Sequence, residues 1–131
     1  MPDDFALHVI GYLRSELTDP AAAPKQGTEG GPDAWLDLAP YAVPAAHGLR
    51  AGQRLVVISW LHRANRDLLQ VHPRDDVRNP LTGVFKTRSA DRPNPIGLHP
   101  VRVLALDDGR LQIGPIEAID GTPVIDLKPV L

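Results

Sequence analysis

Arg54 to Leu61, RLVVISWL, is the strongest strand signal in the chain, a β-branched run deep enough for a central strand. The other apolar positions come in shorter bursts. Ala6 to Arg14 alternate loosely about Val9 and Ile10 and predict a first strand, and Trp35 to Leu38 predict a short one. Asp67 to Val71 and Val84 to Thr87 predict two more, flanking a basic loop from Pro73 to Pro80. From Pro100 to Leu106 the residues alternate, with Val101, Val103 and Ala105 on one face and Arg102, Leu104 and Leu106 on the other. Asp107-Asp108-Gly109 predicts a hairpin turn, since Gly109 tolerates positive φ and an Asp can bond the local backbone. Arg110 to Ile113 is the return strand, and Val124 to Leu127 the last one.

Between these bursts, Val43 to Leu49 is expected to hold one helical turn ending at Gly48. From Leu17 to Pro32 the prolines and the Gly27–Gly31 stretch exclude regular structure. The 14 prolines and 11 glycines argue against long helices anywhere. The expected fold is therefore mainly all-β: a small closed antiparallel β-barrel of about seven strands, because closure removes exposed edges. Long loops and at most short helices complete it. At 131 residues the chain reads as a single domain, 1–131.

The absence of cysteine removes disulfides, thiolate nucleophiles and Cys-based zinc or iron–sulfur sites. Met1-Pro2-Asp3-Asp4-Phe5 is acidic where a secretory signal is basic, and no long apolar run follows. A soluble, cytoplasmic protein without a membrane segment is expected. The net charge of −2 hides an asymmetry. Between Arg63 and Arg92 seven Lys or Arg face four Asp, 7 − 4 = +3, which leaves −5 for the rest. The locally basic region fits either RNA or a solvated loop of local ion pairs.

Motif by motif, most chemistries drop out. His8, His47, His62, His72 and His99 have no metal-ligand spacing and read as surface or half-buried polar residues, so no metal is expected. Gly27-x-x-Gly30-Gly31 follows no strand and lacks the Lys-Ser/Thr pair of a phosphate loop. No Gly-x-Ser-x-Gly elbow nominates a serine. Two polar, proline-studded stretches remain, Gly83 to Leu98 and Asp120 to Pro129. They read as rigid turns or as pre-shaped binding loops. In them Arg88 offers a planar fork for an anion, and Asn94, between Pro93 and Pro95, can present donor and acceptor together. Asp120 and Thr122 flank Gly121, where backbone can approach a ligand. Asp126 and Lys128 share one strand face and can pair.

Several stretches resemble the TsaA-like (TrmO, YaeB) family: Ile10-Gly11-Tyr12-Leu13-Arg14-Ser15, Trp60-Leu61-His62, Gly83-Val84-Phe85-x-Thr87-Arg88-Ser89, Arg92-Pro93-Asn94-Pro95-Ile96-Gly97-Leu98 and Asp120-Gly121-Thr122-Pro123-Val124-x-Asp126-x-Lys128-Pro129. The resemblance implies a β-barrel homodimer that transfers the methyl group of S-adenosylmethionine to N6 of N6-threonylcarbamoyl-adenosine in tRNA. It implies cofactor contacts at Pro24, Lys25, Gln26, His62, Arg63, Arg88, Leu98, Ile119, Asp120, Gly121 and Thr122. Lys25 stands where the family commonly has Arg, which keeps the charge and loses the planar fork. Longer relatives carry a further region after the Lys-Pro at which this chain nears its end, so the expectation is that tRNA is held through the dimer partner or the basic loop, or that the substrate is a different one. Asn94 and Asp126 are the candidate catalytic residues, as acceptors of the proton that an exocyclic amine must lose. The alternatives are a methyltransferase of another RNA or a small molecule, and a non-catalytic binding module, since small barrels often bind oligonucleotides.

Overall fold

The computed structural model describes residues 5–131, so Met1 to Asp4 of the acidic N-terminus lie outside the described residues. Six strands close into an antiparallel barrel: β1 (Gly11–Arg14), β2 (Ala34–Leu38), β3 (Arg54–Trp60), β6 (Ile96–Asp107), β7 (Arg110–Gly114) and β8 (Pro123–Pro129). Their order around the barrel is β1-β2-β7-β6-β3-β8. The remaining pair, β4 (Gln70–Val71) and β5 (Thr82–Gly83), forms a separate two-stranded ribbon. The closed antiparallel barrel is the one the pattern predicts, with six strands in place of about seven. Short 3₁₀ turns are the only helical elements among the described residues.

The core follows from the alternation. Leu55 and Val57 of β3, Val101 and Val103 of β6, Leu111 and Ile113 of β7, with Leu13, Leu36 and Val124, all point inward and are buried. Burying each such side chain contributes about 1.5–3 kcal/mol relative to exposure. The β6–β7 hairpin closes through Asp108 (φ 28°) and Gly109 (φ 81°), the two positive φ values of a type I′ turn.

Four elements differ from expectation. Strand β1 starts at Gly11 rather than Ala6: pairing begins where Leu13 reaches the core, and residues 5–8 are exposed. Val84–Lys86 is a 3₁₀ turn, not a strand, because the Val84 and Thr87 carbonyls are taken by the Arg92 guanidinium and are unavailable to a ladder. Only Gln70 and Val71 of the Asp67–Val71 segment pair, since the Asn65 side chain accepts from the Asp67 amide and folds the preceding chain into a turn. The helical turn spans Pro40–Ala46, shifted towards the proline that pre-sets its φ.

Strand β6 is also longer than predicted, starting at Ile96 inside the first proline stretch. Residues 96–101 pair with β3 alone, and β7 joins only from Arg102. A one-sided ladder accommodates Pro100. On the other side of β3 the register to β8 shifts between Ile58 and Ser59, leaving Ile125 as the extra residue of a bulge.

Candidate active site

At the end of the barrel where β3 leaves and β6 and β8 begin lies a cleft of about 700 Å³, within the size range of small-molecule sites. Its walls come from sequence-distant segments: Pro24, Lys25 and Gln26; Leu61 to Ala64; His72 to Asp75; Lys86 to Arg92; Ile96 to His99; and Glu117 to Ile119 with Thr122.

The Lys86–Arg92 wall is shaped by its own polar groups. The Thr87 hydroxyl donates to the Val84 carbonyl (2.9 Å) and accepts from the Ser89 amide (3.1 Å), and Ser89 in turn accepts from the Asp91 amide (3.2 Å). Half-buried Arg92 donates to the carbonyls of Val84 and Thr87. This ladder leaves Arg88 exposed, donating to no other described residue, on the cleft wall. A pre-shaped loop loses little freedom when it binds.

Opposite it, Ile119 to Thr122 form a type II turn: the Thr122 amide donates to the Ile119 carbonyl (3.2 Å) and Gly121 takes φ 80°. Asp120 Oδ1 accepts from the Ser15 amide (3.0 Å) and the Gly121 amide donates to the Leu13 carbonyl (2.8 Å), which pins the turn to β1. Buried Thr122 donates its hydroxyl to the Ile119 carbonyl (2.7 Å).

Pro24, Lys25, Gln26, His62, Arg63, Arg88, Leu98, Ile119 and Thr122 therefore meet in one cleft. Asp120 and Gly121 stand just behind the wall that their neighbours form. Asn94 and Asp126 lie off the cleft. Asn94 Oδ1 accepts from Arg66 (3.5 Å), whose Nε donates to the Pro93 carbonyl (2.8 Å) and whose guanidinium stacks on Trp60, 5.0 Å from the ring centroid. The proline-flanked asparagine is exposed and leans on Arg66, on the stretch after β3. Asp126 is exposed on β8 opposite Ile58 and pairs with Lys128 at 3.6 Å.

Sequence reasoning missed the polar group at the cleft floor. His99 is 3% exposed, not a surface or half-buried histidine. Its Nε2 lies 2.6 Å from Ser59 Oγ, and its Nδ1 is in contact with Glu117 Oε1. A carboxylate beside Nδ1 places the hydrogen there and leaves Nε2 to accept from the Ser59 hydroxyl. Gly97 is required at its position: a Cβ there would lie 2.5 Å from both His99 Nε2 and Ser59 Oγ. Ser59 is completely buried, at the end of an inward-facing row on β3, so the trio offers no accessible nucleophile.

Most cations of the basic segment are already engaged. Arg74 pairs with Glu29 (2.9 Å) and Arg78 with Asp76 (2.7 Å), while Arg66 and Arg92 donate to main-chain carbonyls; outside the segment, Lys25 pairs with Asp75. The Arg78 hydrogen bonds hold the Asp76 carboxyl below its ordinary range. Lys86 and Arg88 remain free of hydrogen-bond partners among the described residues, and Arg63 donates a single bond, 3.3 Å long, to the Thr18 carbonyl. Among the described residues no group of three or more His, Asp or Glu could hold a metal ion, and no helix is long and apolar enough to cross a membrane.

The model of the tRNA-methyltransferase O N-terminal domain family matches residues 12–131. A protein of Archaeoglobus fulgidus named "S-adenosyl-L-methionine-binding protein" is 34% identical over 122 residues, covering 93% of this chain and 86% of its own. A second from that organism, "Probable S-adenosyl-L-methionine-binding protein", is 39% identical over 123 residues, covering 94% of this chain and 33% of its own. The crystal structure of TrmO from Pseudomonas aeruginosa superposes with a TM-score of 0.78 at 31% identity, over all of this chain and 56% of that one. The chain thus spans a third of one relative and little more than half of the TrmO chain.

Proposed function

Since this chain belongs to the family of the tRNA-methyltransferase O N-terminal domain, we propose that it is an S-adenosylmethionine-dependent methyltransferase acting on N6 of N6-threonylcarbamoyl-adenosine in tRNA. The observation that carries this reading is the convergence of Lys25, Gln26, His62, Arg63, Arg88, Leu98, Ile119 and Thr122 on one cleft. The donor set suits the cofactor. The free guanidinium of Arg88 is a partner for an amino-acid carboxylate, Leu98 and Ile119 are apolar walls for a purine, and the pinned Ile119–Thr122 turn brings main-chain polar groups to the edge of the cleft. Bound there, S-adenosylmethionine supplies a methyl group made electrophilic by its sulfonium sulfur.

The residues of the chain then bind, orient and exclude water, and such positioning supplies most of the rate in a transfer that needs little covalent help. Lys86 and Arg63 stand around the cleft as cations for phosphate. The reading includes a homodimer in the cytoplasm. Phe85, 88% exposed beside Lys86, and Leu69, 65% exposed, supply apolar surface that a second copy would cover.

The test is methyl transfer to total tRNA from a strain lacking this gene, followed by nucleoside mass spectrometry. Methylated threonylcarbamoyl-adenosine is expected. Its absence, with cofactor binding intact, would move the activity to another RNA or a small molecule.

A further inference from the structure

Three carboxylates line the cleft, Asp75, Asp91 and Glu117. Asp75 is 80% exposed and paired with Lys25. Asp91 accepts from the Asn65 amide at 2.8 Å. Glu117 is different: its side chain is 16% exposed, on the floor of the cleft, and one oxygen is held by His99 Nδ1. The other oxygen accepts from no described residue, yet it is not among sealed, unsatisfied atoms, of which the described residues contain none. It keeps some exposure and lies beside Gly27, where a Cβ would come within 3.0 Å of it.

A core that needed only filling would use apolar residues, since replacing a buried ionic group by a well-packed hydrophobic one is often neutral or stabilising. Here Ser59, His99 and one oxygen of Glu117 are joined by hydrogen bonds, and Gly97 is kept bare to house two of the three side chains. The register shift between Ile58 and Ser59 falls beside the trio, and such bulges re-aim side chains near sites.

We propose that Glu117 is the proton acceptor of the methyl transfer, and that His99 and Ser59 are positioning residues that fix its carboxylate. This rests on the methyltransferase reading. As the nitrogen lone pair forms the N–CH₃ bond, the S–CH₃ bond breaks and its electron pair returns to sulfur. The displaced N–H proton passes to the partly exposed oxygen of Glu117, which becomes the neutral acid. The hydrogen bond from His99 Nδ1–H holds the other oxygen, and the Ser59 hydroxyl on Nε2 fixes the imidazole tautomer and ring. Off-cleft Asn94 and Asp126 are then not needed as acceptors.

Glu117→Gln tests this, because the amide oxygen can still accept from His99 while the proton-accepting capacity is lost. S-adenosylmethionine binding by calorimetry should stay within about threefold, and single-turnover transfer with both substrates saturating should fall about 100-fold, the usual size of a general-base contribution. Glu117→Asp should recover part of the rate, and Ser59→Ala should lower it less than Glu117→Gln does. In the ligand-free protein, a downfield imidazole N–H proton resonance should be present in wild type, move upfield in Glu117→Gln and vanish in His99→Gln.

Three results would overturn the proposal. Glu117→Gln transferring at the wild-type rate makes the trio a satisfied core network. Weaker cofactor binding with an unchanged saturated rate makes Glu117 a cofactor ligand. A wild-type protein that binds S-adenosylmethionine and methylates no tRNA removes the functional reading, and this one with it. If Glu117→Gln fails to fold, Ser59→Ala carries the test, since an unchanged rate in that variant with the N–H resonance altered contradicts the positioning role.

Discussion

Ser59 and His99 meet in a 2.6 Å hydrogen bond between β3 and β6, in space that a side chain at position 97 would occupy. Gly97→Ala should therefore destabilise the barrel by about 1–3 kcal/mol, the range for forcing atoms into a packed interior. Gly83→Ala, at a residue with open space around it and a φ of −59°, should change stability by less than about 0.5 kcal/mol. Urea unfolding of the two variants checks the contrast. Equal stability would mean that the interior around His99 yields easily.

Arg92 and Arg88 lie in one loop and do different work. Arg92 ties down the Val84 and Thr87 carbonyls, so Arg92→Ala should cost about 1.5–3 kcal/mol in unfolding free energy, the scale of charged hydrogen bonds. Arg88 donates to no other described residue, and Arg88→Ala should leave the melting temperature in place. Its effect should appear in S-adenosylmethionine affinity, with Kd raised about tenfold or more, or 1.4 kcal/mol and above. A melting temperature lowered equally in both would assign Arg88 a structural part.

Asp37 sits between Arg14 (3.2 Å) and Arg110 (2.5 Å) on the outside of the barrel, and Arg110 stacks on Trp35. Partial burial pushes its carboxyl upward, but the hydrogen bonds and charges of Arg110 and Arg14 outweigh it and hold it below the ordinary range. A carboxyl lowered in the folded state contributes stability above its unfolded value, near 3.9, and loses it as pH falls through the folded one. With 36% of the side chain exposed, solvent screening keeps the contribution under about 1 kcal/mol. Asp37→Asn should be slightly less stable than wild type at pH 7, and the gap should close on acidification. Chemical denaturation at several pH values measures it, and a gap that widens in acid would contradict the assignment.

The barrel was legible because period-2 patterning survives in β3, β6 and β7, and because Asp108-Gly109 can only be a tight turn. The cleft was legible as two proline loops, the first shaped by local bonds among Thr87, Ser89, Asp91 and Arg92 and the second pinned to Leu13 and Ser15 across the sequence. Directions within the loops were not. Asn94 looked poised for a ligand, yet Arg66 on the stretch after β3 claims it, a partner 28 residues away. The Ser59–His99–Glu117 trio joins residues 40 and 18 positions apart, which only the folded barrel brings together. One signal was present. Ser59 continues the inward row of Leu55 and Val57, and His99 that of Val101 and Val103. A polar residue at inward parity on each of two strands points to a buried pair once those strands are known to be neighbours.

The central claim is that the cleft binds S-adenosylmethionine, and titration calorimetry of the wild-type protein with that compound tests it most directly. A single-site isotherm with micromolar or tighter Kd, on the order of −8 kcal/mol, weakened by Arg88→Ala without loss of fold, is the predicted result. No heat on titration, and no thermal shift with saturating cofactor, would contradict it.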